Sequence, residues 1–187
     1  MKKITLSIVL SLCTFLAFSQ KEISGITPEK SITVEGKSLS FNGAELREKF
    51  FLDLYVGSLY LTTKTSDDSK VINSNEPMAI TLDIVSGLIT SEKMISAIDE
   101  GFGKSAKGKT SSIKSEIQGF KNAFSEEIVK GNDFTIAYIP NIGTIVYKNG
   151  KKIKTIKGLE FKKAVFGIWL CNDPADDDLK EGMLGLD

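Results

Sequence analysis

An arginine and a tyrosine in the segment 39–61 have the residue types and the spacing to hold an anion. Arg47 lies just before an apolar, aromatic run from Phe50 to Leu61. This run predicts a largely buried strand, with Arg47 at its entrance. Tyr55 follows Arg47 at an even spacing, so both side chains point to one face if a single strand carries them. A guanidinium and a phenol on one face could together bind a carboxylate, an enolate or a phenolate.

Composition excludes most of the familiar catalytic and metal sites. The chain has no histidine, and therefore has no Ser-His-Asp triad, no Cys-His pair and no histidine-containing zinc site. The acidic run Asp176-Asp177-Asp178 does not have the spacing of a calcium loop and is typical of the first turn of a helix. Cys171 is interpreted as an inert small hydrophobic residue, with an intermolecular disulfide as the alternative. We expect no metal and no cofactor.

The first 19 residues have the features of a cleavable export signal. Lys2 and Lys3 precede an apolar run from Ile4 to Phe18, and small residues at 17 and 19 predict cleavage before Gln20. The apolar run is too short for a membrane span, and no later run is longer. We expect one domain over residues 20–187, located in the periplasm or secreted. The 24 basic and 24 acidic residues balance, and nucleic acid is not an expected partner of an exported protein.

Hydrophobic periodicity predicts antiparallel strands and grouped helices, which is an α+β domain with helices covering one face of a sheet. Turn residues occur at Asn42-Gly43, and Asn149-Gly150 predicts a tight hairpin. The predicted elements are a hairpin over 31–41, strands over 50–61 and 78–85, a helix from a cap at Ser91 to Gly101 and Gly103, a helix over 112–129, strands over 133–139, 143–148 and 151–157, a helix over 159–170, and a last helix from a cap at Asp173 to 184.

The order and spacing of several segments resemble the chalcone isomerase family over nearly all of the predicted mature chain. The segments that carry the resemblance are Asn42-Gly43-Ala44-Glu45-Leu46-Arg47, Val56-Gly57-Ser58-Leu59-Tyr60-Leu61, Ser91-Glu92-Lys93, Lys163-Ala164-Val165-Phe166-Gly167-Ile168-Trp169-Leu170, and Pro174 with Leu179-Lys180. The resemblance implies an open-faced β-sandwich, in which a large antiparallel sheet is backed by helices.

The chain resembles the true isomerases in the segments that indicate the fold, but most of their catalytic residues are replaced. Those enzymes surround a developing enolate with an arginine, a threonine, a tyrosine, an asparagine and a further Ser or Thr. Arg47 matches the arginine. Tyr55 stands at the threonine position, Thr90 at the tyrosine, Ala97 at the asparagine and Ile168 at the Ser or Thr. One of these five groups is unchanged, so the resemblance favours a non-catalytic member.

A non-catalytic branch of the family binds fatty acids, and its arginine and tyrosine hold the lipid carboxylate. Arg47 and Tyr55 match those two positions. Thr90 is interpreted either as a third ligand contact or as a residue of the helix N-terminus. The leading hypothesis is an exported protein that binds a small apolar anion such as a fatty acid. The alternatives are an isomerase, or intramolecular lyase, acting on an enone-like substrate, and a non-catalytic interaction protein of the cell envelope with a filled core.

Overall fold

Within the described residues, 22–186, the strands form one antiparallel sheet whose spatial order follows the chain. The computed structural model shows a curled, half-barrel sheet of seven strands in the order β1 to β7. The strands are β1 Ser31–Val34, β2 Lys37–Lys49, β3 Leu52–Leu61, β4 Met78–Ile84, β5 Asp133–Ile139, β6 Gly143–Lys148 and β7 Lys151–Ile156. Every neighbouring pair is antiparallel. The predicted export signal lies outside the described residues.

Five α-helices of the described chain back this sheet, which confirms the predicted α+β class. They are α1 Asp68–Asn73, α2 Ser91–Ser105, α3 Lys114–Asn122, α4 Leu159–Leu170 and α5 Asp177–Leu184, and a short 3-10 turn covers Ser111–Ile113. The main core lies between the helices and one face of the sheet. Strand β4 shows the pattern, because Met78, Ile80, Leu82 and Ile84 all face this core.

The segment from Arg47 to Leu61 is a hairpin, and the prediction of one strand with Arg47 at its start was wrong. Strand β2 runs on to Lys49, the chain turns at Phe50 and Phe51, and β3 begins at Leu52. Both turn residues have left-handed backbones, with φ of 53° and 63°. Turns of this type favour Asn and Gly, so two phenylalanines gave no turn signal in the sequence.

Asn42-Gly43 does not form the predicted turn but lies inside β2, where the register with β3 shifts. The Asn42 amide donates to the carbonyl of Met183 at 2.8 Å and accepts from the backbone N–H of Thr65 at 2.9 Å. A β-carbon on Gly43 would lie within 3 Å of backbone atoms of α5, so this glycine allows close packing of the last helix. Tertiary contacts therefore replace the local turn.

Helix α2 begins and ends differently from the prediction. Its N-cap is Thr90, not Ser91, and the helix continues to Ser105 past both glycines. A β-carbon on Gly101 would lie 2.7 Å from Cγ2 of Ile168, so this glycine permits close approach of α4 and does not terminate α2. Gly101, which the sequence pattern predicted as the end of α2, is therefore explained by packing between the two helices.

Two further differences concern helix ends. Helix α3 stops at Asn122, yet Phe124 and Ile128 beyond it remain buried. The N-cap of α5 is Asp176, whose carboxylate accepts from the N–H of Leu179 at 2.9 Å. Asp173, the predicted cap, instead pairs with Lys104 at 3.1 Å. The acidic run does begin a helix, as predicted, because negative charge is favourable at a helix N-terminus.

Candidate functional site

Arg47 and Tyr55 lie directly opposite each other on β2 and β3. A β-bulge produces this pairing: Glu48 pairs with Asp53, but Arg47 pairs with Tyr55, which leaves Leu54 as the extra residue. Without the bulge, Arg47 would oppose Leu54. Directly opposed side chains share one face of a sheet, and the guanidinium carbon lies 5.9 Å from the centre of the Tyr55 ring. The structure therefore brings the predicted pair together across a hairpin.

The Arg47 side chain is half-buried and keeps an unused hydrogen-bond donor. Its Nε is fully buried and has no hydrogen-bond partner within the described part of the chain. Buried donors nearly always have a partner, because leaving one without an acceptor costs about 1–3 kcal/mol. Arg47 also lines a cavity, so its guanidinium group is a candidate contact for an anionic ligand.

Tyr55 is buried and its hydroxyl group is oriented by Trp169. The indole Nε1 of Trp169 donates to the Tyr55 hydroxyl oxygen at 2.9 Å. Since an indole can only donate, the tyrosine oxygen accepts here and its own hydrogen is directed elsewhere, available to an acceptor. Burial raises the pKa of Tyr55, an effect that the nearby charge of Arg47 opposes. Tyr55 is thus a neutral donor near neutral pH.

A cavity of about 430 Å³ opens beside this pair, between the hairpin and α2. Most of its wall area is apolar, which is the usual character of a small-molecule site, and polar side chains also line it. The apolar lining residues are Phe50, Leu52, Leu54, Leu88, Ile89, Met94 and Ala97. The polar and charged lining residues are Arg47, Lys49, Tyr55, Lys93, Ser96 and Glu100.

Lys93 and Trp169 are site residues that sequence reasoning missed. Lys93 lines the cavity and its Nζ donates to the carbonyl of Leu88 at 2.9 Å. In the sequence it appeared only as part of a helix start. Trp169 appeared only within a segment that carries the family resemblance. A buried tryptophan requires an acceptor for its N–H, which was the one available signal, but the sequence could not identify Tyr55 as that acceptor.

Thr90 is exposed and serves as the N-cap of α2, where its hydroxyl oxygen accepts from the N–H of Lys93 at 3.3 Å. Its neighbour Ile89 lines the cavity, whereas Thr90 does not. A direct ligand contact by Thr90 stays a prediction.

A second cleft of similar size, about 440 Å³, has the wrong charge for an anion. Its lining residues are Glu45, Leu46, Glu48, Asp176, Asp178 and Glu181. Five carboxylates would repel a bound carboxylate or enolate. No group of three or more acidic or cysteine side chains within residues 22–186 is placed to hold a metal ion. Over the same residues, no helix has the length and apolar character needed to cross a membrane.

A family model described as chalcone isomerase-like matches residues 20–185. The chain belongs to the chalcone isomerase-like family. This family includes both isomerases and non-catalytic fatty-acid binders. The chain matches none of the curated protein sequences with which it was compared.

Among solved structures, this chain is similar to the fatty-acid-binding protein of Arabidopsis thaliana. The two share 16% sequence identity with a TM-score of 0.62, and the match covers 82% of this chain and 95% of the plant chain. At this identity the likeness establishes the fold. It confirms the sheet backed by helices that the resemblance implied.

Proposed function

We propose that this protein is exported and binds a small apolar anion, such as a fatty acid, without catalysing a reaction. Arg47 and Tyr55 hold the carboxylate, and the acyl chain occupies the apolar cavity beside them. The observation that carries the proposal is the position of Arg47 directly opposite Tyr55, at a mainly apolar cavity that both residues line. The fatty-acid-binding relative supports the choice of ligand class.

The donor set suits a carboxylate because it offers hydrogens to two oxygens. A guanidinium is always charged near neutral pH and donates through several N–H groups, so it favours a planar anion. The Tyr55 hydroxyl oxygen already accepts a hydrogen bond from Trp169, so its own hydrogen can be donated to an oxygen of the ligand. Lys49 and Lys93 add positive charge at the cavity wall. A ligand headgroup that only donates would find no matching acceptor in this pair.

Export is supported by the basic start, the apolar run and the small residues before Gln20. The mature chain carries the whole family match, which begins at residue 20. An exported protein that binds an apolar acid would carry it through water, where such a molecule is poorly soluble. Fractionation of cells expressing the full chain tests this part: a product that begins at Gln20 and appears outside the cytoplasm is the expected result.

Native mass spectrometry of the mature protein, followed by solvent extraction, tests the ligand. The expected result is a bound acid of defined mass that is missing from Arg47→Ala, because the variant loses a charge-assisted contact of about 2 kcal/mol. Lys49→Ala is the matched control, since it removes a cation from the same cavity but leaves the buried pair intact. An acid retained equally by both variants would exclude Arg47 as the carboxylate contact.

An isomerase acting on an enone-like substrate is the second candidate, because the same two donors fit an enolate oxygen. Two other positions that match catalytic residues of the family add no free polar group to the cavity. Ala97 lines it at the position of the family's asparagine, and Thr90 is engaged as a helix cap. Spectrophotometric loss of a chalcone above the rate in buffer, abolished by Arg47→Ala, would favour this candidate over simple binding.

A further inference from the structure

The turn between β2 and β3 presents two adjacent phenylalanines to solvent. Phe50 is 82% exposed and Phe51 is 98% exposed. Both have left-handed backbones, a conformation that disfavours bulky side chains. The isolated protein therefore carries two disadvantages at one point, a strained turn and two apolar rings in water.

Two other tight turns of the same sheet show the usual solution. Glu35-Gly36 joins β1 to β2 and Asn149-Gly150 joins β6 to β7, each with left-handed backbones at both residues. In both turns glycine occupies the second position, where it meets no steric penalty. Phe51 occupies that position at the tip. An aromatic residue there is unfavourable for the folded chain alone, so its explanation lies in a partner that covers the ring.

The exposed rings are continuous with the ligand cavity. Six large apolar side chains of residues 22–186 are exposed, namely Phe50, Phe51, Leu52, Leu88, Val129 and Leu186. Of these, Phe50, Leu52 and Leu88 line the cavity, and Phe51 adjoins them. The apolar surface is thus concentrated at the opening of the cavity. Anything that covers the tip also faces the opening.

The charges around the tip are balanced, so they do not select a highly charged partner. Arg47 and Lys49 are countered within the hairpin by Glu48 and Asp53. The Nζ of Lys49 lies 5.9 Å from the centre of the Phe50 ring, which is a cation–π arrangement. The positive charge of Lys49 is therefore close to this ring. Rings at the apex with charged groups just behind them match the boundary between hydrocarbon and headgroups in a bilayer.

We infer that the Phe50–Phe51 tip inserts into the surface of a lipid bilayer and holds the cavity opening against it. A bilayer fits better than a protein partner because the tip borders a cavity for an apolar molecule, and such molecules reside in membranes; this step of the argument rests on the proposed function. The contact is interfacial and reversible, made by two rings and the neighbouring Leu52 and Leu88. Ligand then passes between bilayer and cavity with little exposure to water.

Sedimentation with phosphatidylcholine vesicles, using protein that begins at Gln20 and no added acid, tests the docking. Phe51→Gly removes the fully exposed ring and suits the left-handed backbone, so the fold is expected to persist. The bound fraction should fall about tenfold, the effect of losing one buried ring. Phe51→Trp, which keeps the strain and an aromatic ring, should bind like the wild type. Wild-type binding should persist in high salt, because it is apolar.

A matched control separates the tip from general surface hydrophobicity. Leu186→Ser removes another exposed apolar side chain, 57% exposed, that does not line the cavity. It should leave vesicle binding unchanged. Equal binding by Phe51→Gly and wild type, or an equal loss in Leu186→Ser, would overturn the inference. A dimer that forms without vesicles and that Phe51→Gly dissociates would also overturn it, by assigning the tip to a second copy.

Failure of the docking and failure of the proposed function give different results. Arg47→Ala should lose bound acid and keep vesicle binding. Phe51→Gly should lose vesicle binding and keep the affinity for an acid supplied in solution, because Phe51 does not line the cavity. If the tip docks but no acid binds, the bilayer contact stands without the carrier role.

Discussion

The indole N–H of Trp169 donates to the hydroxyl oxygen of Tyr55 at 2.9 Å, and both side chains are buried. This bond joins helix α4 to strand β3 and sets which way the tyrosine hydroxyl can donate. Trp169 does not line the cavity, so any effect of this residue on a ligand bound there would be transmitted through Tyr55. It is a positioning residue for the candidate carboxylate site.

Trp169→Phe should weaken acid binding while keeping an aromatic side chain in the core. The freed Tyr55 oxygen is no longer held as an acceptor, so its hydrogen loses a fixed direction. We expect affinity for palmitate to fall by about 1 kcal/mol, the value of one hydrogen bond, as measured by isothermal titration calorimetry.

A double-mutant cycle with Tyr55→Phe distinguishes positioning from loss of packing. If Trp169 acts through the hydroxyl, Trp169→Phe should have little further effect on palmitate affinity once Tyr55 lacks it. Additive losses in the double variant would indicate an effect through the core instead.

Arg47→Lys should recover only part of the affinity that Arg47→Ala loses. Lysine restores the positive charge but cannot place a donor at the buried Nε position or offer a planar fork. We expect palmitate affinity between those of wild type and Arg47→Ala, about tenfold below wild type. Wild-type affinity in Arg47→Lys would mean that charge alone, and not the arrangement of N–H groups, holds the ligand.

Lys162 is fully buried and caps the end of α1, and its removal should destabilise the fold. Its Nζ donates to the carbonyls of Val71, Ile72 and Ser74 at 2.7, 2.9 and 2.9 Å. Burial lowers the pKa of Lys162 to about 8, so holding the charge offsets part of this benefit. Lys162→Met leaves carbonyls of the helix end without donors and should lower the free energy of unfolding by about 2 kcal/mol in urea. Lys163→Met, next along the helix, should have little effect because Lys163 pairs with Glu160 at the surface.

Asp83 should make the protein less stable as pH rises from 4 to 7. Burial raises the pKa of Asp83 to about 6, and the charge of Asp133 opposite it on β5 adds to the shift. A folded-state pKa above the unfolded value stabilises the fold at low pH, and this contribution is lost as pH rises through about 6. Asp83→Asn should therefore raise the free energy of unfolding at pH 7 by about 1 kcal/mol, after allowing for partial exposure.

The pH dependence provides the check on Asp83. At pH 4 the wild-type carboxyl group is largely protonated, so Asp83→Asn should then have nearly the same stability as wild type. Asp133→Asn, which removes the opposing charge alone, should give a smaller gain at pH 7. A gain of equal size at both pH values would show that the carboxyl charge is not responsible.

The predictability of the fold follows from periodicity. The alternation in β4 and the signal at Asn149-Gly150 act over a few residues, so the strands and their antiparallel order could be predicted locally. The predicted end of α2 and the predicted turn at Asn42-Gly43 were wrong, because Gly101 permits close contact with α4 and Asn42 forms hydrogen bonds with residues far along the chain. Such contacts join segments that are far apart in the chain, and a local sequence pattern carries no information about them.

For the site, the sequence by itself determined that Arg47 and Tyr55 were the candidate anion-binding pair, on residue type and on resemblance to a family. The predicted reason, one strand with even spacing, was wrong, although the pair does share a face. Only the tertiary structure decided that the chain turns at two phenylalanines and that a bulge at Leu54 sets Arg47 opposite Tyr55. It also decided that Trp169 orients the hydroxyl and that a cavity opens beside the pair. The physical reason is that the chemistry of a side chain depends on the residue type alone. Hydrogen-bond partners and cavities arise only when distant segments of the chain pack together.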